Sequence, residues 1–167
     1  MGKEKKNPID ITHSMIKHEG LFDFYAIDNA LKTWMDKRKF YFIEKEHSEK
    51  RTGEGFEIII EYNFSRKPDA YVKFSGSFKI TIRQAEKVNV EGKGETWKGY
   101  FRMITDAEME KNYLKKFKSS GFSNFIREIY EKYIINKRLS DYEDKLFAEV
   151  YEIINEVKDI LGQPRVE

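Results

Sequence analysis

The chain has 167 residues, the length of one ordinary domain, and is 40% hydrophobic, 15% aromatic and 36% charged, which excludes a disordered or collagen-like protein. It contains no cysteine, which excludes a disulfide framework, a thiolate nucleophile and a cysteine-ligated metal. The formal net charge of +2 is the difference between 31 basic and 29 acidic residues, so the whole molecule has no field that would recruit a polyanion.

Neither a membrane span nor a secretory signal is indicated. No stretch approaches the roughly 18 consecutive apolar residues of a membrane-spanning helix. Residues 1–7 contain lysines without the apolar segment of a signal peptide. We therefore expect a cytoplasmic protein that is not transmembrane.

The first 19 residues are charged and fit neither helical nor strand periodicity, so residues 1–19 are expected to form a loosely attached segment. A single domain is expected over residues 20–162, with a tail over residues 163–167. A first helix is predicted to begin after Asp23, an N-cap residue, because apolar residues then recur at three- and four-residue spacing up to Met35.

The middle of the chain carries strand patterns. Residues 40–47 have a β-rich composition, and residues 56–64 and 72–82 alternate between apolar and polar side chains. Pairing of residues 56–64 with residues 72–82 as adjacent antiparallel strands is the central prediction. Gly76, inside the second of these strands, is expected to mark a bulge or bend that curves the sheet.

Two further strands are predicted. A short strand over residues 88–90 precedes a glycine-containing turn, and a longer strand over residues 97–109 follows it. A helix beginning at Asp106 is the alternative for the end of this segment. The strand is preferred because its long neighbours need hydrogen-bond partners along their length.

The last third is helical. Apolar residues within 122–134 trace one stripe, and residues 136–139 interrupt it. Ser140 then begins a second helix as the first residue of an S-x-x-E capping box, and Gly162 ends it. The predicted fold class is α+β, with an N-terminal helix, a curved antiparallel meander sheet of four to five strands, and two C-terminal helices packed on one face.

The C-terminal half resembles a group of small archaeal α+β proteins without assigned function. The resemblance lies in the segment FIREIYEKYIINKRLSDYEDKLFAEV, together with VNVEGK upstream. It implies an archaeal, cytosolic context and a sheet followed by two helices. Because those proteins carry no known catalytic motif, the resemblance implies no functional residue.

No motif for catalysis or cofactor binding is present. GEG at residues 53–55 lacks the further glycine of GxGxxG, and GKGET at residues 92–96 lacks the GK[ST] ending of a phosphate loop. His13 and His18 are five residues apart, unlike the i, i+4 pair of an HExxH metal site. We predict no cofactor, no metal and no catalytic residue, and enzymatic activity stays open, with a non-enzymatic role favoured.

The strand face opposite the apolar residues mixes cations with an aromatic ring. Its candidate nucleic-acid or anion-binding residues are Lys73, Lys79, Arg83, Lys98, Tyr100 and Arg102. Rings that stack on bases beside cations that neutralise phosphates are typical of sheets that bind single-stranded RNA. The alternative is a charge-paired surface, because Glu57 and Glu61 can form salt bridges with the same cations.

A second basic and aromatic cluster precedes the final helices. Its candidate membrane-surface residues are Lys111, Lys115, Lys116, Phe117 and Lys118. Such a segment can rest on an anionic membrane with its lysines at the headgroups. A connector whose rings enter the core while its lysines reach water is the preferred alternative.

The preferred function is a non-enzymatic binding module that recognises a protein partner or a small apolar ligand through the curved sheet and its helices. The apolar ligand would occupy a pocket under the helices, with a closely packed core as the alternative. The second hypothesis is an RNA- or anionic-surface-binding protein that uses the basic, aromatic sheet face. A homo-oligomer also stays open, since Ile59, Ile104 and Ile135 lie off the main stripes and could form a dimer seam.

Overall fold

The computed structural model describes residues 8–92, 94–111, 121–129 and 136–165. Its elements in chain order are β1 (Ile9–Phe22), α1 (Phe24–Lys37), β2 (Tyr41–Thr52), β3 (Gly55–Arg66), β4 (Val72–Val90), β5 (Gly94–Lys111), α2 (Gly121–Ile129) and α3 (Asn136–Ile160). The chain is an α+β protein, as its sequence predicts.

The five strands form one antiparallel sheet in the order β1-β5-β4-β3-β2. Strands β2 to β5 follow one another as a meander, and the predicted pairing of β3 with β4 is confirmed, with Ile60 opposite Ile80. Strand β1 lies beside β5, at the edge farthest from β2. Helix α1 therefore connects the two edges of the sheet.

The N-terminal strand is the main correction to the sequence prediction. Residues 1–19 are predicted to be loosely attached, but β1 is paired with β5 along its length, and α1 follows this strand instead of opening the fold. Only Thr12, Ile16 and Phe22 of β1 are buried, and a bulge near its start shifts the alternation. Burial alternates from Thr12 to Phe22, but the inward positions include Ser14 and His18 and the outward positions include Met15 and Leu21. The residue types therefore do not show the period of two that identifies a strand.

Strand β4 is longer than predicted, since the predicted strand over residues 88–90 is its end. The bulge expected at Gly76 is not there, because the pairing continues through Gly76 and shifts between Arg83 and Glu86. Glycine is required at position 76 for a different reason: a Cβ atom there would lie 2.3 Å from the ring of Phe64. Strand β5 confirms the predicted long strand over its helical alternative.

The face of the sheet that is turned to α1 and α3, which we call the inner face, carries the hydrophobic core. Helix α1 contributes Trp34 to a cluster of rings that also contains Phe40, Phe64 and Phe78. The ring centroids in contact lie 4.9 to 5.7 Å apart. These rings fill part of the space that the sequence analysis considers for an apolar ligand.

A buried ion pair attaches α3 to the sheet. Arg66 of β3 donates to the carboxylate of Glu149 at 3.0 Å, and the two side chains are 16% and 6% exposed. Arg66 also donates to the backbone carbonyl of Arg38 at 2.8 Å. Its guanidinium lies over the rings of Phe40 and Phe74. The charge of Arg66 is thus partnered on several sides.

The starts of the helices agree with the sequence in one case and not in the other. Helix α1 begins after Asp23, as predicted, because the Asp23 carboxylate accepts a hydrogen bond from the Ala26 amide at 3.0 Å. Helix α3 includes Asn136, so the predicted interruption over residues 136–139 is wrong. Ser140 consequently lies inside this helix and does not cap it.

Helix α2 differs from the prediction that both C-terminal helices pack on the sheet. Its apolar stripe is exposed, with Phe122 at 73% and Phe125 at 59%. Of the two C-terminal helices, α3 carries the buried side chains that cover the inner face. Within the described residues, no helix combines the length and the apolar character that crossing a bilayer requires.

Candidate functional site

The face of the sheet that is turned away from α1 and α3, which we call the outer face, is largely polar. Antiparallel pairing aligns the outward side chains of neighbouring strands into rows. Two adjacent rows bring β1, β5 and β4 together, the first through Lys17, Arg102 and Thr81 and the second through Glu19, Tyr100 and Arg83. These rows define the centre of the candidate site.

Two grooves lie on the outer face. They lie on opposite sides of the row formed by Lys79 and Ile104. The groove on the side of Arg83 and Arg102, which we call the upper groove, has a volume of about 780 Å³ and is lined by residues from the two rows above and from the β2–β3 turn. The groove on the other side, which we call the lower groove, has a volume of about 670 Å³ and is lined by Ser75 and Ser77 of β4 among other residues. Lys79 and Ile104, which are paired in the intervening row, line neither groove.

Three cations line the upper groove: Lys17, Arg83 and Arg102, which we call the cation trio. Lys17 lies directly across from Arg102, and Arg83 lies in the next row on β4. In the part of the chain that the structure describes, no carboxylate oxygen lies within 4.0 Å of a charged nitrogen of the trio. Like charges directly opposite each other on a sheet are destabilising, so the fold itself does not explain this arrangement.

Two carboxylates of the upper groove lie beside neutral polar groups. Glu19 is the cross-strand partner of Tyr100, and its carboxylate raises the pKa of the Tyr100 phenol. The side-chain amide of Gln84 donates to Glu54 at 2.7 Å. Glu57 of β3 lines the same groove. The groove thus contains three cations, on β1, β5 and β4, and three carboxylates, of which Glu19 lies on β1 and the other two lie towards β3.

A β-bulge in β4 shapes the upper groove. Gln84 lies in this bulge, between Arg83 and Glu86, and has a φ of 51°, in the left-handed region. The bulge brings β4 close to β5, and a Cβ atom at Gly99 would lie 2.9 Å from the carbonyl oxygen of Arg83. Glycine at position 99 therefore permits the bulge that places both Arg83 and Gln84 in the groove.

The lower groove has a different charge character. Asp10, Asp106 and Glu108 line it, and Lys73 is its lysine. The imidazole of His13 forms an ion pair with Asp106 when it is protonated. The two grooves thus differ in charge: three cations and three carboxylates line the upper groove, whereas mostly carboxylates line the lower groove.

A serine, an aspartate and a histidine share one row of the lower groove. Ser77, Asp106 and His13 are consecutive cross-strand partners on β4, β5 and β1. A hydrolase triad needs its histidine between the serine and the aspartate. Here the aspartate is in the middle, and Ser77 and His13 are two strand spacings apart, about 10 Å. The row lacks the geometry for acyl transfer.

The histidines do not form a metal centre. His18 bonds the backbone carbonyl of Leu21 at 2.8 Å, and His47 bonds Glu44 at 2.7 Å. Among the residues with described positions, no three His, Cys, Asp or Glu side chains group as metal ligands would.

The six residues predicted to bind anions all lie on the outer face, but they do not form one site. Three of them line the upper groove, namely Arg83, Tyr100 and Arg102. The other three lie elsewhere on this face, namely Lys73, Lys79 and Lys98. Lys73 is paired with Glu110 beside the lower groove, and Glu61 is contacted by Lys45 at 3.7 Å. Among the described residues, neither Glu57 nor Glu61 has a carboxylate oxygen within 4.0 Å of a charged nitrogen of these six residues, so the salt bridges named in the charge-paired alternative are not found.

Lys17, the third member of the cation trio, is not among the residues predicted from the sequence. Lys17 belongs to β1, which the periodicity does not reveal, and its position opposite Arg102 follows from strand pairing across the sheet. The sequence around Ile16 gives no strand signal, because the apolar residues Met15 and Ile16 are adjacent and lie on opposite faces of β1.

The predicted membrane-surface cluster is only partly described. Lys111 is the last residue of β5 and is 8% exposed, so it does not present its charge at the surface. The other four residues, Lys115, Lys116, Phe117 and Lys118, lie outside the described residues. Of the predicted dimer seam, Ile59 and Ile104 lie half-buried on the outer face, and Ile135 lies outside the described residues.

Comparison of the chain with protein families, with curated proteins and with solved structures gives no match, so any assignment of function depends on the residues of the outer face.

Proposed function

We propose that this chain is a binding module that recognises a compact anionic ligand, one that carries a phosphate group, in the upper groove of its outer face. The observation that supports this function is the cation trio, in which Lys17 and Arg102 face each other without a carboxylate partner and Arg83 lies beside them. An anion between them would relieve their repulsion and accept charge-assisted hydrogen bonds from all three side chains.

The chemistry of these side chains favours a phosphate group over a monatomic anion such as chloride. The two guanidinium groups of Arg83 and Arg102 present planar forks that match the oxygens of a phosphate, and Lys17 adds a point charge. The groove is open to solvent on one side, so an anion could enter without any rearrangement of the core. Its volume of about 780 Å³ is within the usual range for small-molecule sites.

The charges of the outer face favour a compact ligand over a long polyanion. A nucleic-acid strand that ran along the sheet from the upper groove would meet Asp10, Asp106 and Glu108 in the lower groove. Those carboxylates would repel its phosphates. A flat anionic membrane would meet the same carboxylates. The apolar-ligand hypothesis is less favoured because the described grooves lie on the outer face and rings fill part of the inner side.

The test is a titration of the purified chain with inorganic pyrophosphate at low ionic strength, followed by amide chemical shifts. We expect saturable shifts in the strands around Lys17 and Arg102. The variant Arg102→Gln should weaken binding roughly tenfold or more, because it removes charge-assisted hydrogen bonds. The matched control is Lys145→Gln, which removes one charge from an exposed site on α3 and should bind like the native chain.

Two results would contradict the proposal. One is the absence of saturable shifts at low ionic strength. The other is equal weakening by Arg102→Gln and Lys145→Gln, since that would indicate a response to net charge and not to the upper groove.

A further inference from the structure

We infer that the ligand of the upper groove is a nucleoside phosphate whose base carries an amino group. This inference rests on the proposed function, because it assigns the phosphate to the cation trio. It adds that the base lies against the ring of Tyr100 and that its amino group reaches the carboxylate of Glu57.

The position of Tyr100 supports the base. Its side chain is 47% exposed, and it lines the upper groove directly across from Arg83. Tyr100 and Arg102 are two residues apart on β5, and outward side chains at this spacing are about 7 Å apart. A ribose can bridge a phosphate at Arg102 and a base at Tyr100. An exposed tyrosine ring is a common platform for base stacking.

Glu19 lies next to this platform. It is the cross-strand partner of Tyr100, and its carboxylate raises the pKa of the Tyr100 phenol. The interaction with the phenol engages Glu19 next to Lys17. The arrangement therefore presents a ring and a cationic site together instead of an ion pair.

A carboxylate on the β3 side of the groove is the reason to expect an amino group on the base. Glu57 of β3 lines the groove on the side away from β1, and no described cation lies within 4.0 Å of its carboxylate. A carboxylate accepts hydrogen bonds but donates none, so it selects a base edge that carries an N–H group. Cytosine N4 is such a donor, and uracil presents an acceptor at the same position.

The test compares four ligands that differ by one part each: inorganic phosphate, ribose 5-phosphate, uridine monophosphate and cytidine monophosphate. We expect cytidine monophosphate to bind about tenfold more tightly than ribose 5-phosphate, an effect typical of one stacked base. Uridine monophosphate should lie between them. Tyr100→Leu and Tyr100→Phe both remove the hydroxyl that faces Glu19, so they should change the affinity for inorganic phosphate to the same extent. Only Tyr100→Leu should also remove the advantage of cytidine monophosphate over ribose 5-phosphate, because Tyr100→Phe keeps the ring.

Matched variants separate the base contacts from general effects. Tyr25→Leu removes another exposed tyrosine, on α1, and should bind like the native chain. Glu57→Gln should abolish the preference for cytidine monophosphate over uridine monophosphate without weakening the binding of inorganic phosphate.

The outcomes distinguish this inference from the proposed function. If phosphate and ribose 5-phosphate bind but the base adds nothing, the inference is wrong and the phosphate site stands. A single-stranded RNA that binds far more tightly than cytidine monophosphate would also overturn the inference. If no phosphate compound binds, the proposed function itself is wrong.

Discussion

Arg66 and the cation trio carry positive charge on opposite faces of the same sheet, and their surroundings differ completely. The side chain of Arg66 is 16% exposed on the inner face, where it contacts Glu149, the Arg38 carbonyl and two rings. The trio lines a groove on the outer face and has no such partner among the described residues. Charge that the fold uses is partnered, so unpartnered charge at directly opposed positions points to a role outside folding.

The comparison also predicts opposite effects on stability. A buried arginine that loses its carboxylate keeps a charge that water cannot solvate, which costs much of the stability of a domain. An exposed cation that faces another cation lowers the stability only slightly, because solvent screens the repulsion. Substitutions on the two faces should therefore change the free energy of unfolding in opposite directions.

The largest expected effect comes from the inner face. Glu149→Ala should lower the free energy of unfolding by about 3–5 kcal/mol, because Arg66 then remains buried without its carboxylate. The matched control is Glu152→Ala, one helical turn away on α3, where the ion pair with Arg38 is partly exposed and should contribute less than about 1 kcal/mol. Urea denaturation measures both values. Equal losses of unfolding free energy in the two variants would contradict the conclusion that the ion pair of Arg66 with Glu149 stabilises the fold.

The contrast between the two faces explains how much the sequence reveals. Residues 56–64 and 72–82 alternate with period two because the inner face is apolar along their whole length, and so their pairing is predictable. Edge strand β1 buries only three residues and contains a bulge, so its own pattern is lost. Local periodicity reports burial, and β1 has too little of it.

The upper groove is less predictable than the sheet for a related reason. Arg83, Tyr100 and Arg102 could be predicted to lie together, because β4 and β5 are neighbours in both sequence and space. Lys17 joins them from a strand that is about 80 residues away in sequence from β5. The pairing of β1 with β5 depends on the path of α1 across the sheet, and no local pattern encodes that path.

The next largest effect is expected at Gly76 of β4, which is in close contact with the Phe64 ring on the inner face. Gly76→Ala should lower the free energy of unfolding by about 1–3 kcal/mol, because the new methyl group would meet the Phe64 ring at 2.3 Å and the Asp106 carbonyl oxygen at 2.5 Å. Gly53→Ala, in the β2–β3 turn, is the control, since nothing lies within 4 Å of its Cβ position. Thermal denaturation of the two variants measures the difference. A Gly76→Ala protein as stable as Gly53→Ala would mean that the inner face is not closely packed there.

A smaller effect of opposite sign is expected in the cation trio. Arg102→Gln should leave the free energy of unfolding unchanged or raise it by up to about 1 kcal/mol, because it removes the like charge opposite Lys17. The gain should shrink as salt is added, since salt already screens the repulsion. Urea denaturation at low and high salt provides the measurement. A clear loss of stability would show that Arg102 is a structural residue, as Arg66 is, and would remove the contrast between the faces.

The smallest effect concerns the carboxylate beside the trio. The Glu19 carboxylate raises the pKa of the Tyr100 phenol above the ordinary tyrosine value, and Glu19→Gln should bring that pKa back down. A raised pKa means that the folded chain favours the neutral phenol. The contribution of this interaction to stability is therefore complete below the ordinary tyrosine pKa and disappears as the pH rises through the raised one.

Carbon-13 chemical shifts of the Tyr100 ring during an alkaline titration measure this pKa directly. Glu54→Gln is the control, because Glu54 lies in the same groove but bonds Gln84 instead of Tyr100. A pKa of Tyr100 that is the same in the native chain and in Glu19→Gln would mean that Glu19 is not bonded to the phenol. Glu19 would then be available to neutralise Lys17, and the trio would lose one reason to bind an external anion.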